Sequence, residues 1–224
     1  MYYGSVSTIY YAESNFGLGT APLFMNPPTE TPRDTYFING DPSKSQYTAY
    51  DSLSAGILYG LQPAFVTHYM GFDTNDDWVN PDTGRLDHKF NWVITMGGPA
   101  ANKVVDYYEI VAEATPIYFY RNSPANLLEF LDRTKAVKAS ISTTADFNHE
   151  DYILIEQFSA DSNNIMMIYA FNWCGTWAGG VWFKDYFWTH SNELVGFSYV
   201  ILHWVDSNMD GNPQVNEISA YAAG

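Results

Sequence analysis

The spacing of apolar and polar residues changes near residue 50. Before it the chain is rich in Gly, Pro, Ser, Thr and Tyr and shows no helical period. "GSVSTIYYAES" reads as a β-prone segment, while "MNPPTETPRD" and "INGDPSKS" carry turn chemistry. Residues 1–50 are therefore expected to form an irregular, β-rich N-terminal extension, and residues 51–224 an α/β domain.

Beyond that point, "DSLSAGILYGLQPAF" predicts a helix capped by Asp51 or Ser52 and ended near Pro63. "GFDTNDDWVNPDTGRLDHKF" is a polar, turn-rich excursion. In "NWVITMGGPAANKVVDYYEIVAE" an apolar run from Trp92 to Met96 meets Gly97 and Gly98, and Pro99 opens a helical pattern through Val104, Val105, Tyr108 and Val111. "IYFYRN" predicts a strand, and "SPANLLEFLDRTKA" a helix with Ser123 as N-cap. "DYILIEQFSADSNNIMMIYAF" predicts two strands around the turn "SADSNN". "NWCGTWAGGVWFKDYF" passes through a glycine turn into a helix, "FSYVILHWV" is a buried strand, and "VNEISAYAA" predicts a short closing helix. Apolar strands alternating with helices imply an α/β fold with a mostly parallel sheet flanked by helices.

Composition narrows the partners. Ten Lys and Arg stand against 25 Asp and Glu, a formal net charge of -15. That leaves too little basic surface for nucleic acid or an anionic membrane, and makes cations the natural small partners. The single cysteine, Cys174, excludes an intrachain disulfide. Eighteen Tyr and seven Trp, residues with large apolar area and a polar handle, point to an assembled or surface protein. No apolar stretch reaches the length of a membrane span. The opening "MYYGSVSTIYY" lacks the pattern of a secretion signal, so if the protein is exported, either its leader has been removed or this is a fragment excised from a longer chain. There is no N-x-[ST] sequon free of proline.

One motif carries specific chemistry. "DSNMDGNPQVNE" places oxygen-bearing side chains at the first, third, fifth and twelfth positions of a loop, with glycine at the sixth. This is the D-x-[DN]-x-[DN]-G-x₅-E spacing by which a twelve-residue loop wraps calcium, a hard cation that takes six to eight oxygens. The expected ligands are the side chains of Asp206, Asn208, Asp210 and Glu217, the carbonyl of Asn212, and Gln214 directly or through water. The preceding segment reads as a strand, and position eight is Pro213, so the loop resembles that of an EF-hand without the paired helices. The bland reading is a "DGNP" turn ahead of a helix. "DTNDD", Asp73 to Asp77, has the same early spacing but lacks the sixth-position glycine and the twelfth-position acid.

"VITMGGPAANKVV", "DYILIEQF", "NNIMMIYAFNWCGTWAGGVWF" and the tail Trp204, Asp206, Asn208, Asp210, Gly211 together resemble segments of archaeal S-layer-type proteins, over residues 90–224. Cys174 departs from the small or polar residue expected at its place. The resemblance implies a non-enzymatic, extracellular structural protein of a prokaryotic surface layer, binding calcium and associating with itself or with other surface proteins.

Two other classes remain open. A hydrolase-type enzyme would use Cys174 with one of His68, His88, His149, His190 or His203, or a carboxylate pair such as Glu109/Glu113 or Glu150/Asp151. Gly97-Gly98 ahead of a helix is a weak anion cradle, without either glycine-rich phosphate motif. A filament subunit would polymerise by adding "YYGSVSTIYY" to a neighbouring sheet edge.

Overall fold

Strand alternation, more than helical periodicity, organises the molecule. The computed structural model describes residues 35–43, 68–90, 92–187 and 197–224. Among these, the strands are β1 (Thr35–Asn39), β2 (His68–Phe72), β3 (Trp92–Met96), β4 (Ile117–Asn122), β5 (Leu127–Asp132), β6 (Val137–Ser142), β7 (Glu150–Ala160), β8 (Asn163–Ala170), β9 (Tyr199–Val205) and β10 (Ile218–Ala223). The two α-helices among the described residues are α1 (Lys103–Asp106) and α2 (Trp173–Trp182), each running on into one π-helical turn.

Seven strands form one sheet in the order β10-β9-β7-β8-β3-β1-β2, and β4-β5-β6 form a second, antiparallel sheet. The expected α/β fold, a mostly parallel sheet flanked by helices, is thus corrected to a mostly β mixed architecture. Parallel pairing holds from β8 through β3 and β1 to β2. It reverses at the β7–β8 hairpin, and β9 and β10 are antiparallel to their neighbours. An apolar run looks the same whichever way its partner points, so the pattern could not distinguish the two arrangements.

Two further expectations fail for a common reason. "SPANLLEFLDRTKA" makes one 3₁₀ turn, Ser123–Ala125, after which Asn126 takes a left-handed conformation (φ 56°) and reverses the chain into β5. β5 then pairs on both sides, with β4 and β6. "VNEISAYAA" likewise makes a 3₁₀ turn, Val215–Glu217, and continues as β10, with Ile218 opposite Trp204. In both, Leu, Ala and Glu favour helix locally, and cross-strand pairing overrides that weak preference. The helix predicted from Asp51 or Ser52 to near Pro63 and the N-terminal strand lie outside the described residues. β1, from the expected extension, lies within the main sheet between β3 and β2.

The large sheet buries both faces. On one lie Phe37, Ile94, Ile155, Met166, Ile168 and Leu202 against Cys174, Ala178 and Trp182 of α2. On the other lie Ile38, Val93, Leu154, Met167 and Ile201 against Val104, Val105 and Tyr108 of the α1 segment and Ile117, Phe130 and Ala139 of the small sheet. Gly179 lets α2 pack tightly, since a Cβ there would stand 2.8 Å from Ile153 and 3.0 Å from Ile168. The chain leaves β3 toward one face and β8 toward the other.

Candidate functional site

The loop 206–217 joins β9 to β10, so the expected strand-loop-helix is a strand-loop-strand. Its first half is folded by its own side chains. Asp206 Oδ2 accepts from Gly211 N at 2.8 Å, and Oδ1 from Asp210 N at 3.3 Å. Asn208 Oδ1 accepts from Asp210 N at 2.9 Å, and Asp210 Oδ1 from Asn212 N at 2.7 Å. Asn212 donates its side-chain amide to Asp210 O, and Gln214 Nε2 donates to Asp210 Oδ2 at 3.4 Å. Gly211 sits at φ 72°, a left-handed conformation that suits glycine, with nothing within 4 Å of where its Cβ would be. Pro213 is buried beside this turn.

Glu217 closes the loop. Its Oε1 accepts from both N and Oγ of Ser207 at 3.1 Å, and its Oε2 from Gln214 N at 3.3 Å. The twelfth position therefore lies against the second, as a wrapped loop requires. Asp206 is buried, and His149 Nδ1 stands 2.7 Å from its Oδ2. Burial pushes the Asp206 carboxyl up, but the His149 bond and the Gly211 and Asp210 N–H groups outweigh it and hold the carboxyl below its ordinary range.

The donor set suits a hard cation. Counting two lone pairs per carboxylate or amide oxygen, Asp206 Oδ1, Asn208 Oδ1, both Asp210 oxygens and Glu217 Oε2 each keep one uncommitted. Full ligation draws on Glu217 turning from Ser207, because among the described residues no three His, Cys, Asp or Glu side chains already converge on one point. The sequence named His149 only as a possible partner of Cys174, not of this loop, from which it is far along the chain; β7 pairing with β9 brings it there, and Asp206 N donates to His149 O at 2.8 Å.

The other candidates have structural explanations. Asp73 is a staple: Oδ1 accepts from Asp41 N and Oδ2 from Lys103 N, tying the end of β1 to the start of α1, and burial raises its pKa. Asn75 turns its side chain to Asp77 N. Gly97 has φ 93°, and a Cβ on Gly98 would stand 3.1 Å from the Tyr169 ring, so both glycines are set by backbone and packing. Pro99 lies in a turn, and α1 begins at Lys103 behind the N-cap Asn102. Cys174 is buried in the first turn of α2, and burial, with Asp151 nearby, pushes its thiol up to about 12, against a thiolate nucleophile. His88 is exposed, His203 pairs with Glu150 at 2.9 Å, and nothing is described of the His68 side chain or of His190.

Neither carboxylate pair of the enzyme alternative faces a common cleft. Glu113 is exposed and left-handed (φ 51°), while Glu109 points inward. Glu150 and Asp151 project to opposite faces of β7; Asp151 is fully buried, accepting from Asn172 N at 2.8 Å and Tyr152 N at 2.8 Å. Gly175 leaves room for that carboxylate, since a Cβ there would come within 2.4 Å of Asp151 Oδ2.

Instead Glu109 meets Glu156. Both are wholly buried between the main sheet and the small one. Glu109 accepts from Phe119 N at 2.6 Å and from the Tyr169 hydroxyl, and Glu156 Oε2 accepts from Ile117 N at 3.1 Å. Glu156 Oε1 has no partner among the described residues. Burial raises both: Glu109 to about 7, and Glu156 well above its ordinary value, with Glu109's charge adding to the rise. The sequence signal was a lone acid inside the apolar run "YILIEQF". No protein family, curated protein or solved structure matches this chain.

Proposed function

We propose that the chain is a non-enzymatic structural protein of a prokaryotic surface assembly, stabilised by one calcium ion in the loop 206–217. The observation that carries the reading is the closed loop itself: the side-chain oxygens of Asp206, Asn208 and Asp210 accept from backbone N–H groups of the loop, and Glu217 lies across to Ser207. Calcium there would draw on Asp206, Asn208, Asp210 and Glu217, the Asn212 carbonyl, and Gln214 directly or through water. It would neutralise local acidity and tie β9 to β10. The acid excess, the aromatic content and the resemblance to S-layer-type proteins support a place outside the cell. An unpaired loop of this charge binds calcium at about 10⁻⁴ to 10⁻³ M, the range of extracellular modules. No helix among the described residues is long and apolar enough to cross a membrane.

The test is thermal melting in excess calcium against chelator, with ionic strength matched by sodium chloride and light scattering on the same samples. At ten times Kd the wild type gains about 1.4 kcal/mol. Asp210→Asn keeps the inward Asn212 bond and removes a charge, and Glu217→Ala removes the closing ligand. Both are expected to lose the calcium response. An unresponsive wild type overturns the site. Scattering that grows with calcium supports assembly, and a solution that stays monodisperse overturns that part.

A further inference from the structure

β3 and β8 are neighbouring parallel strands whose outgoing chains part to opposite faces. Such a divergence leaves a crevice outside the carboxyl ends of the two strands, where open sheets take their ligands. Here the crevice is a cavity of about 290 Å³, entered between Gly98 and Ala101 on the β3 side and Ala170 to Trp173 on the β8 side. Its lining residues include no Lys, Arg, Asp, Glu or His.

The walls are rings held in place. Phe130 stacks on Phe171 at 4.2 Å between centroids and meets Tyr169 edge-on at 5.6 Å. Phe119 leans on Phe171 at 5.9 Å. The Tyr169 hydroxyl is bound to Glu109, so its ring is fixed from behind. Trp173 stands at the start of α2 on the other side. Two polar side chains line the crevice beside the Tyr169 ring: Thr176, whose hydroxyl accepts from Ala170 N at 3.1 Å and donates to Asn172 O at 3.4 Å, and Asn172. Asn172 Oδ1 accepts from Trp173 N at 2.6 Å, which fixes the amide, and its Nδ2 makes no hydrogen bond among the described residues. A dry cavity of about 150 Å³ holds a benzene, so this one has room for a ring and a polar substituent.

We propose that the crevice between the carboxyl ends of β3 and β8 is a binding site for a small planar aromatic molecule carrying a carbonyl acceptor, the ring lying against Phe119, Tyr169, Phe171 and Trp173 and the carbonyl accepting from Asn172 Nδ2. None of these residues belongs to the loop 206–217, so the site stands or falls independently of calcium.

Benzamide and cyclohexanecarboxamide, which share the amide but differ in the ring, are titrated against the full chain by ligand-observed NMR. Benzamide is expected to bind with Kd on the order of 10⁻³ M or tighter, and the saturated analogue about fivefold more weakly. Asn172→Asp keeps the cap oxygen and removes both donors; it is expected to weaken benzamide about fivefold or more. Ala101→Phe, on the half-buried rim, fills the crevice and is expected to abolish binding, with circular dichroism confirming that the variant is folded. The proposal is overturned by the absence of benzamide binding up to about 10 mM. Equal affinity for the two amides overturns it too, as does undiminished binding to Ala101→Phe or to Asn172→Asp.

Discussion

Glu156 lies in the middle of a strand whose neighbours are Ile153, Leu154, Ile155 and Phe158, and one of its two oxygens meets no donor. A carboxylate in that position keeps its charge only at the cost of desolvation, aggravated by Glu109. The neutral acid is the form the fold accommodates. Because the folded pKa of both acids is raised, the stability they contribute is complete below the ordinary glutamate range and is lost as pH rises through the folded values, for Glu109 about 7. Glu156→Gln preserves the oxygen that accepts from Ile117 N and removes the ionisation. Urea unfolding at pH 8 is expected to show the variant more stable by roughly 1–3 kcal/mol, the range for a buried polar group left short of partners, since Arg133 and the Ile117 N–H offset burial only in part. At about pH 3.5 the difference should nearly vanish, since the wild-type acid is then largely protonated in both the folded and the unfolded chain. An equal gain at both pH values would show that charge is not the cause.

The β7–β8 hairpin is the element the sequence announced most plainly. Alternating apolar residues flank "SADSNN", and the two central residues, Asp161 and Ser162, both adopt left-handed backbone (φ 50° and 63°), as a tight two-residue hairpin turn requires. Asp161 has a second task, pairing with Arg85 at 2.5 Å and accepting from the Tyr108 hydroxyl at 2.8 Å, whereas Ser162 has none among the described residues. Left-handed backbone costs a non-glycine residue about 1–2 kcal/mol. Ser162→Gly is therefore expected to raise the thermal midpoint by about 2–4 °C, read by differential scanning calorimetry; a lowered midpoint would refute the strain. β3, β4, α2 and β9 were legible too, each being a local pattern. β5 and β10 were not, because Leu-, Ala- and Glu-containing segments carry helical preference and become strands only through partners distant in sequence. The same division runs through the site. The loop residues are contiguous and could be read directly, while His149, Glu109, Glu156 and Asn172 acquire roles only when β7, β8 and the α1 segment assemble.

At the scale of the whole molecule, two opposed sets of carboxyls determine how the fold answers pH. The buried pair Glu109 and Glu156 favours protonation, and so does a surface carrying a net charge of -15, whose self-repulsion weakens the compact state. Both effects make the protein more stable as pH falls from about 8 toward about 5. Asp132, held down by Thr134 and Lys138, and Asp161, held down chiefly by Arg85, work the other way. Their folded pKa values lie below the ordinary aspartate value, so their contribution is present above that value and lost as pH falls through the folded values. Asp206 behaves alike in the absence of bound cation, through His149 and the loop N–H groups. Stability in chelator is therefore expected to peak on the acid side of neutrality, at about pH 5 to 6, and to fall on either side. The alkaline decline should be shallower in Glu156→Gln, and added sodium chloride should lessen it by screening the surface part alone. Urea midpoints measured at intervals from pH 3 to 9 would decide the matter. A maximum at or above pH 8 would mean that the buried acids stay ionised in the folded protein and that their partners have been misidentified.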